Sequence, residues 1–181
     1  MAIAVMAIAA GAAIPLAHGG VDRARTSAAA RYVAARMAMA RLEAVRRSAF
    51  VALRFAQDGT GYWVRTYVDN NANGVLSSEI TGGIDTPIST AERLDYHFSG
   101  VTFGIQPAVT SLDPGQPLDT DDPIQIGASP LLSFSPNGSS TSGTVFIRGR
   151  SAAQFAVRVL GATGRTRLFE FDFQERVWHL R

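Results

Sequence analysis

The chain has 181 residues, 46% of them hydrophobic, and a formal net charge of +2, enough for one membrane-proximal helix and one globular domain but not for two independent domains. All seventeen basic residues are arginine, so the pI near 9.5 reflects few offsetting acids rather than a massed basic tail, and a dedicated nucleic-acid surface is not demanded. The absence of cysteine excludes disulfide staples, thiol catalysis and Cys-ligated zinc.

Residues 1–20 form the first element. No charge appears before Asp22, and the apolar run over residues 1–17 is about the length of a bilayer span if some tilt is allowed. The small residues Ala9, Ala10, Gly11, Ala12 and Ala13 allow other helices to approach closely, which makes this a transmembrane or assembly segment. Pro15 would kink a helix in a soluble core, whereas membrane helices tolerate such a break. A cleaved secretory signal is the rival reading, but no Lys or Arg precedes the run.

Residues 21–55 read as the amphipathic continuation of the same helix. Val21, Ala24, Ala28, Tyr32, Ala35, Met39, Leu42, Val45, Ala49 and Leu53 recur in steps of three and four, a stripe expected to pack on the rest of the chain while its upper turns meet partner helices. Arg23, Arg25, Arg36, Arg41, Arg47 and Arg54 are expected on a solvated face.

Asp58-Gly59-Thr60-Gly61 should end the helix, and residues 56–181 read as a β-rich domain. Residues 62–68 have strand composition, and residues 94–98 and 101–105 read as two short strands about Ser99-Gly100. Between them, Asp69, Asn71, Asn73 and Gly74 match the first half of a calcium loop, D-x-N-x-N-G. Its twelfth position is Ile80, with Glu79 one residue early, so the turn reading is favoured and calcium is the alternative. Residues 106–130 carry five prolines with Asp113, Asp119, Asp121 and Asp122, the composition of a solvated excursion. Strands are expected at 131–134, 143–148, 154–160, 165–173 and 177–180, with enough alternation to demand one buried face in an antiparallel sheet or sandwich.

Catalytic vocabulary is missing. His18, His97 and His179 are scattered, with no nucleophile motif, phosphate loop or dinucleotide fingerprint, so no enzyme and no cofactor is expected.

An apolar start ending in Ala13-Ile14-Pro15, the helical segment 40–47 and a body of strands resemble the type IV pilin-like proteins. Residues 133–138 (SFSPNG), 143–147 (GTVFI), 156–159 (AVRV) and 161–167 (GATGRTR), in this order, are similar to the C-terminal signature of GspH/FimT-type minor pseudopilins. The resemblance implies an α+β, pilin-like fold with a long N-terminal helix on an antiparallel β-domain. It also implies a single-pass inner-membrane anchor, a periplasmic body, and assembly with other pilins or pseudopilins in a type II secretion pseudopilus or type IV pilus. The family's basic leader, processing glycine, methylated mature N-terminus and assembly glutamate have no counterpart, so Met1 is expected to fall inside the mature helix, either at an internal methionine taken as the start or through truncation. Arginines follow the apolar run, so the positive-inside rule alone would place the body in the cytoplasm; its periplasmic placement rests on the resemblance. An alternative is a pilus subunit that captures DNA through Arg165, Arg167, Arg176 and Arg181.

Overall fold

The structure is a computed structural model that describes residues 2–181, with side chains from residue 19 onward. Helix α1 spans Ala2–Arg47, and the rest of the chain forms two antiparallel sheets against it. The assembly residues Ala9, Ala10, Gly11, Ala12, Ala13 and Pro15, and His18, lie outside the described side chains. From residue 19 onward no helix is long and apolar enough to cross a membrane.

The helix stops eight residues before Phe55, correcting the expected 21–55 segment. Ser48 takes a left-handed conformation (φ 52°), its N–H reaches Val45 O at 3.3 Å, and Ala49 N–H reaches Ala44 O at 3.3 Å. These two bonds form a Schellman cap, built on a serine where glycine is usual, so the sequence carries no visible stop signal. Strand β1 (Val51–Asp58) follows, with Val51, Leu53 and Phe55 buried at a period of two. Asp58-Gly59-Thr60-Gly61 is therefore not a helix end but the hairpin turn into β2 (Gly61–Val68).

Short helix α2 (Ser77–Gly82) and strand β3 (Thr86–Pro87) come next. The strand expected at 94–98 is instead the helical turn α3 (Leu94–His97). Leu94 and Phe98 fit an alternating strand, but as an i,i+4 pair they also fit one helix face, and both meet the core. The remaining strands are β4 (Thr102–Phe103), β5 (Ile124–Gln125), β6 (Leu131–Phe134), β7 (Gly143–Arg148), β8 (Gln154–Leu160), β9 (Arg165–Asp172) and β10 (Val177–Leu180). One sheet has the order β3-β2-β1-β6; the other runs β10-β9-β8-β7-β4, with β5 also on β7.

The main core lies between α1 and both sheets. Ala29, Ala30, Val33, Met37, Ala40 and Ala44 of α1 meet Leu53, Phe55, Leu132, Phe134, Val145, Ile147, Phe155 and Val157. Smaller clusters cover the outer faces, around Phe146 and Phe171 on one sheet and around Tyr67 and Val75 on the other.

Candidate assembly surface

Helix α1 has apolar residues on two opposite faces, and the expected stripe is the outer one. At 3.6 residues per turn, Thr26, Ala29, Ala30, Val33, Met37, Ala40 and Ala44 point into the domain, and all are buried. Val21, Ala24, Ala28, Ala35, Met39 and Leu42 lie within about 50° of the opposite direction. Met39 is 56% exposed and Leu42 63%, with Val21 and Val45 also open to solvent. Of the expected stripe within α1, Tyr32 reaches the domain, and Leu53 is buried only because it belongs to β1. Stepping by three and four finds a stripe without saying which side it faces, and alanine-rich packing here leaves the inner stripe the less hydrophobic of the two.

The helix arginines are likewise not one solvated face. Arg23 pairs with Glu170 of β9, the Arg36 guanidinium lies 3.5 Å from Glu92, and Arg41 Nε donates to Gly138 O at 2.9 Å. Tyr32 also donates to Glu92, and burial together with that carboxylate pushes its hydroxyl pKa up. Arg46 and Arg47 share Glu43 along the helix, both at 2.7 Å. Arg25 and Arg31 make no ion pair among the described residues. Asp22, the only acid before Glu43, accepts the Arg150 and Ser151 N–H groups at 2.9 Å each, fastening α1 to the β7–β8 turn. The outer stripe thus belongs to a helix fastened to the domain from Asp22 to Arg41.

Glu170 gathers Arg23, through Nη2 to Oε2 at 2.8 Å, and Arg181, through Nε to Oε2 at 2.7 Å. The Arg23 hydrogen bond holds its carboxyl below the usual range against the opposing effect of burial, with Arg181 assisting. A depressed folded pKa contributes stability that is complete above the ordinary carboxylate value of about 4.3 and is lost as the pH falls through the lower folded value. Because Arg23 faces solvent, Glu170→Gln should cost about 1 kcal/mol at pH 7. Urea midpoints taken from pH 7 to 3 should show the gap to wild type closing on the acid side.

The four C-terminal arginines are not brought together. Glu170 faces α1, so the odd-numbered Arg165 and Arg167 project from the other face of β9, both exposed. Arg167 stands opposite Arg158, which Asp113 holds with two bonds of 2.8 and 2.7 Å. Arg176 sits in the β9–β10 turn at the far end of the strand, and Arg181 is on the helix side with Glu170. Asp69 is buried and accepts backbone N–H groups, while Asn71 and Asn73 donate to Glu79. His97 packs against Tyr32 with ring centres 5.4 Å apart and the rings tilted by 40°, and His179 lies 3.5 Å from Glu175.

The family-signature segments meet at Arg41. Gly138 (φ 84°), from the first segment, and Gly164 (φ 60°), from the last, both lie against its side chain. A β-carbon on Gly164 would stand 2.4 Å from Gly138 O, so this crossing of two turns under the helix admits only glycine. A family model described as type II transport protein GspH matches residues 29–164, three-quarters of the chain. The chain belongs to the GspH family. The match runs from the buried face of α1 through the Gly164 turn, so it takes in the helix–sheet core and the Arg41 contact. No curated protein and no solved structure gives a significant match. GspH-family membership makes this a pseudopilin of type II transport at the family level, a structural rather than catalytic class of protein.

Proposed function

We propose that this GspH-family chain is a minor pseudopilin, a structural subunit that acts by assembling with other pseudopilins through α1. The observation that carries the reading is the outward apolar stripe Val21, Ala24, Ala28, Ala35, Met39 and Leu42, exposed except at half-buried Ala28, on a helix already docked by its other face. Large side chains left in water on a fixed helix gain about 1.5–3 kcal/mol each when fully covered, and a second helix of the same character is a suitable cover. The stripe continues the uncharged run of residues 1–17, which in this reading is the inner-membrane anchor that delivers subunits to one another, with the β-domain on the periplasmic side. The division is then an anchor over residues 1–20, a docking segment to Arg47, and a body from Val51.

The test is the double substitution Met39→Arg with Leu42→Arg, made in the complete gene. Both positions are exposed, so the chain should unfold within about 0.5 kcal/mol of wild type, while secretion and cross-linking to the other pseudopilins should be lost. Normal secretion by a stably expressed double variant overturns the stripe as an interface.

A further inference from the structure

The loops between β2 and α3 gather acid without base. No Lys, Arg or His occurs between Arg65 and Arg93, yet the segment carries Asp69, Glu79, Asp85 and Glu92. Glu92 is answered by Tyr32 and Arg36. The other three have no ion pair among the described residues. Asp85 is only 1% exposed: Oδ2 accepts the Leu76 N–H at 2.9 Å, while Oδ1 is sealed from solvent with no donor. Glu79 is half-buried, but its Oε2 is likewise shut off from solvent with no donor. Buried carboxylates are ordinarily paired with a base or bound to a metal, because removing their charge from water is costly.

The neighbouring side chains supply the geometry. Asp69 Oδ1 accepts the Asn71 and Ala72 N–H groups at 3.0 and 2.9 Å, and its Oδ2 accepts Gly74 N–H at 2.8 Å, closing the loop. Both amides then converge on one oxygen: Asn71 Nδ2 lies 3.1 Å and Asn73 Nδ2 2.8 Å from Glu79 Oε1. Ile80 holds the twelfth position of the D-x-N-x-N-G pattern, where an acid is usual, but α2 brings Glu79 back onto the amides from the eleventh. Turning the two amides over replaces nitrogen with oxygen. Each amide oxygen then stands about 3 Å from Glu79 Oε1, a spacing that suits a shared cation with oxygen bonds of about 2.3–2.6 Å.

We propose that the 69–85 loop is a calcium site. Glu79, Asn71 and Asn73 are ligands, Asp69 holds the loop closed, and Asp85, bonded to Leu76 within the loop, adds negative charge. An all-oxygen set rich in neutral amides favours calcium over zinc or copper, and its irregular placement favours calcium over the strictly octahedral magnesium. Val75 and Ile80 of the same loop pack on Tyr67 and Leu131, so calcium would also hold the cluster over the outer face of β1 and β2.

The experiment is calorimetric titration and thermal unfolding of the full chain in detergent with calcium, magnesium or EDTA. Expected are one calcium per chain, a Kd on the order of 10⁻⁴–10⁻³ M as in extracellular modules, and a Tm rise of about 3–6 °C at tenfold excess over Kd. Glu79→Gln should weaken binding at least about tenfold and abolish the rise, a loss of roughly 1.4 kcal/mol or more in binding by the affinity relation. No saturable heat and no Tm rise by about 20 mM calcium overturns the proposal. So does an equal response to magnesium, or a Glu79→Gln chain that responds as wild type. If the variant does not fold, the wild-type comparison of calcium with magnesium decides alone.

Discussion

Met37→Ala should destabilise the chain by about 2–5 kcal/mol, while Met39→Ala, two residues along the same helix, should change it by less than about 0.5 kcal/mol. Met37 is fully buried among the core residues under α1, and Met39 is 56% exposed on the opposite face. Truncating the first removes the burial of the side chain and leaves a cavity that helix and sheets, tied by Asp22, Arg23 and Arg41, close only partly. The second is more than half in water, so its truncation leaves no enclosed cavity. Urea unfolding of each variant in detergent, followed by tryptophan fluorescence with the slope m held common, gives both numbers. Equal losses, or a larger loss at Met39, would show that the wrong stripe has been placed inside.

That pair of methionines also marks what the sequence carried and what it did not. The α+β class, the hairpin strand at 62–68 and the five strands after residue 131 were legible because alternation and turn residues are local signals. The facing of α1 was not. Its inner face is mostly alanine, and the larger Met39, Leu42 and Val45 lie outside or beside it, so hydrophobicity pointed to the surface a partner would cover. The end of α1 was hidden for a different reason: its cap depends on the backbone of Ser48, a residue type that normally signals the start of a helix rather than its end.

The polar contacts were less legible still, since each joins residues far apart in sequence. Arg23 with Glu170, Arg41 with Gly138, and Asp22 with the β7–β8 turn span about half the chain or more. Nothing local distinguishes these arginines from solvated ones. Asp22 did carry a weak signal, as the only acid before Glu43 in a helix lined with arginine. The loop after β2 shows the converse. Its first half was read correctly from side chains that cap their own backbone, but the role of Glu79 depended on α2, which moves it onto Asn71 and Asn73 from a position the linear pattern assigns to no ligand.

The docking of α1 is most exposed to disruption at Gly149, and Gly149→Val should cost about 3–5 kcal/mol. A β-carbon there would lie 2.5 Å from Thr26 Oγ1 and 2.7 Å from each carboxylate oxygen of Asp22. Neither neighbour can yield cheaply. Thr26 is buried and its hydroxyl donates to Asp22 O at 2.7 Å, while the Asp22 carboxylate holds the Arg150 and Ser151 N–H groups. Overpacking of this kind costs about 1–3 kcal/mol. Lifting α1 to relieve it breaks hydrogen bonds to a charged group, worth about 1.5–3 kcal/mol. Asp22→Ala separates the two effects, since it removes those bonds and leaves the turn room. It should show only the smaller loss, and Gly149→Val added to it should cost less than in the wild-type chain, because part of the obstruction is gone. Strict additivity in that double-mutant cycle, measured by urea unfolding, would mean that Gly149 and Asp22 do not share the contact.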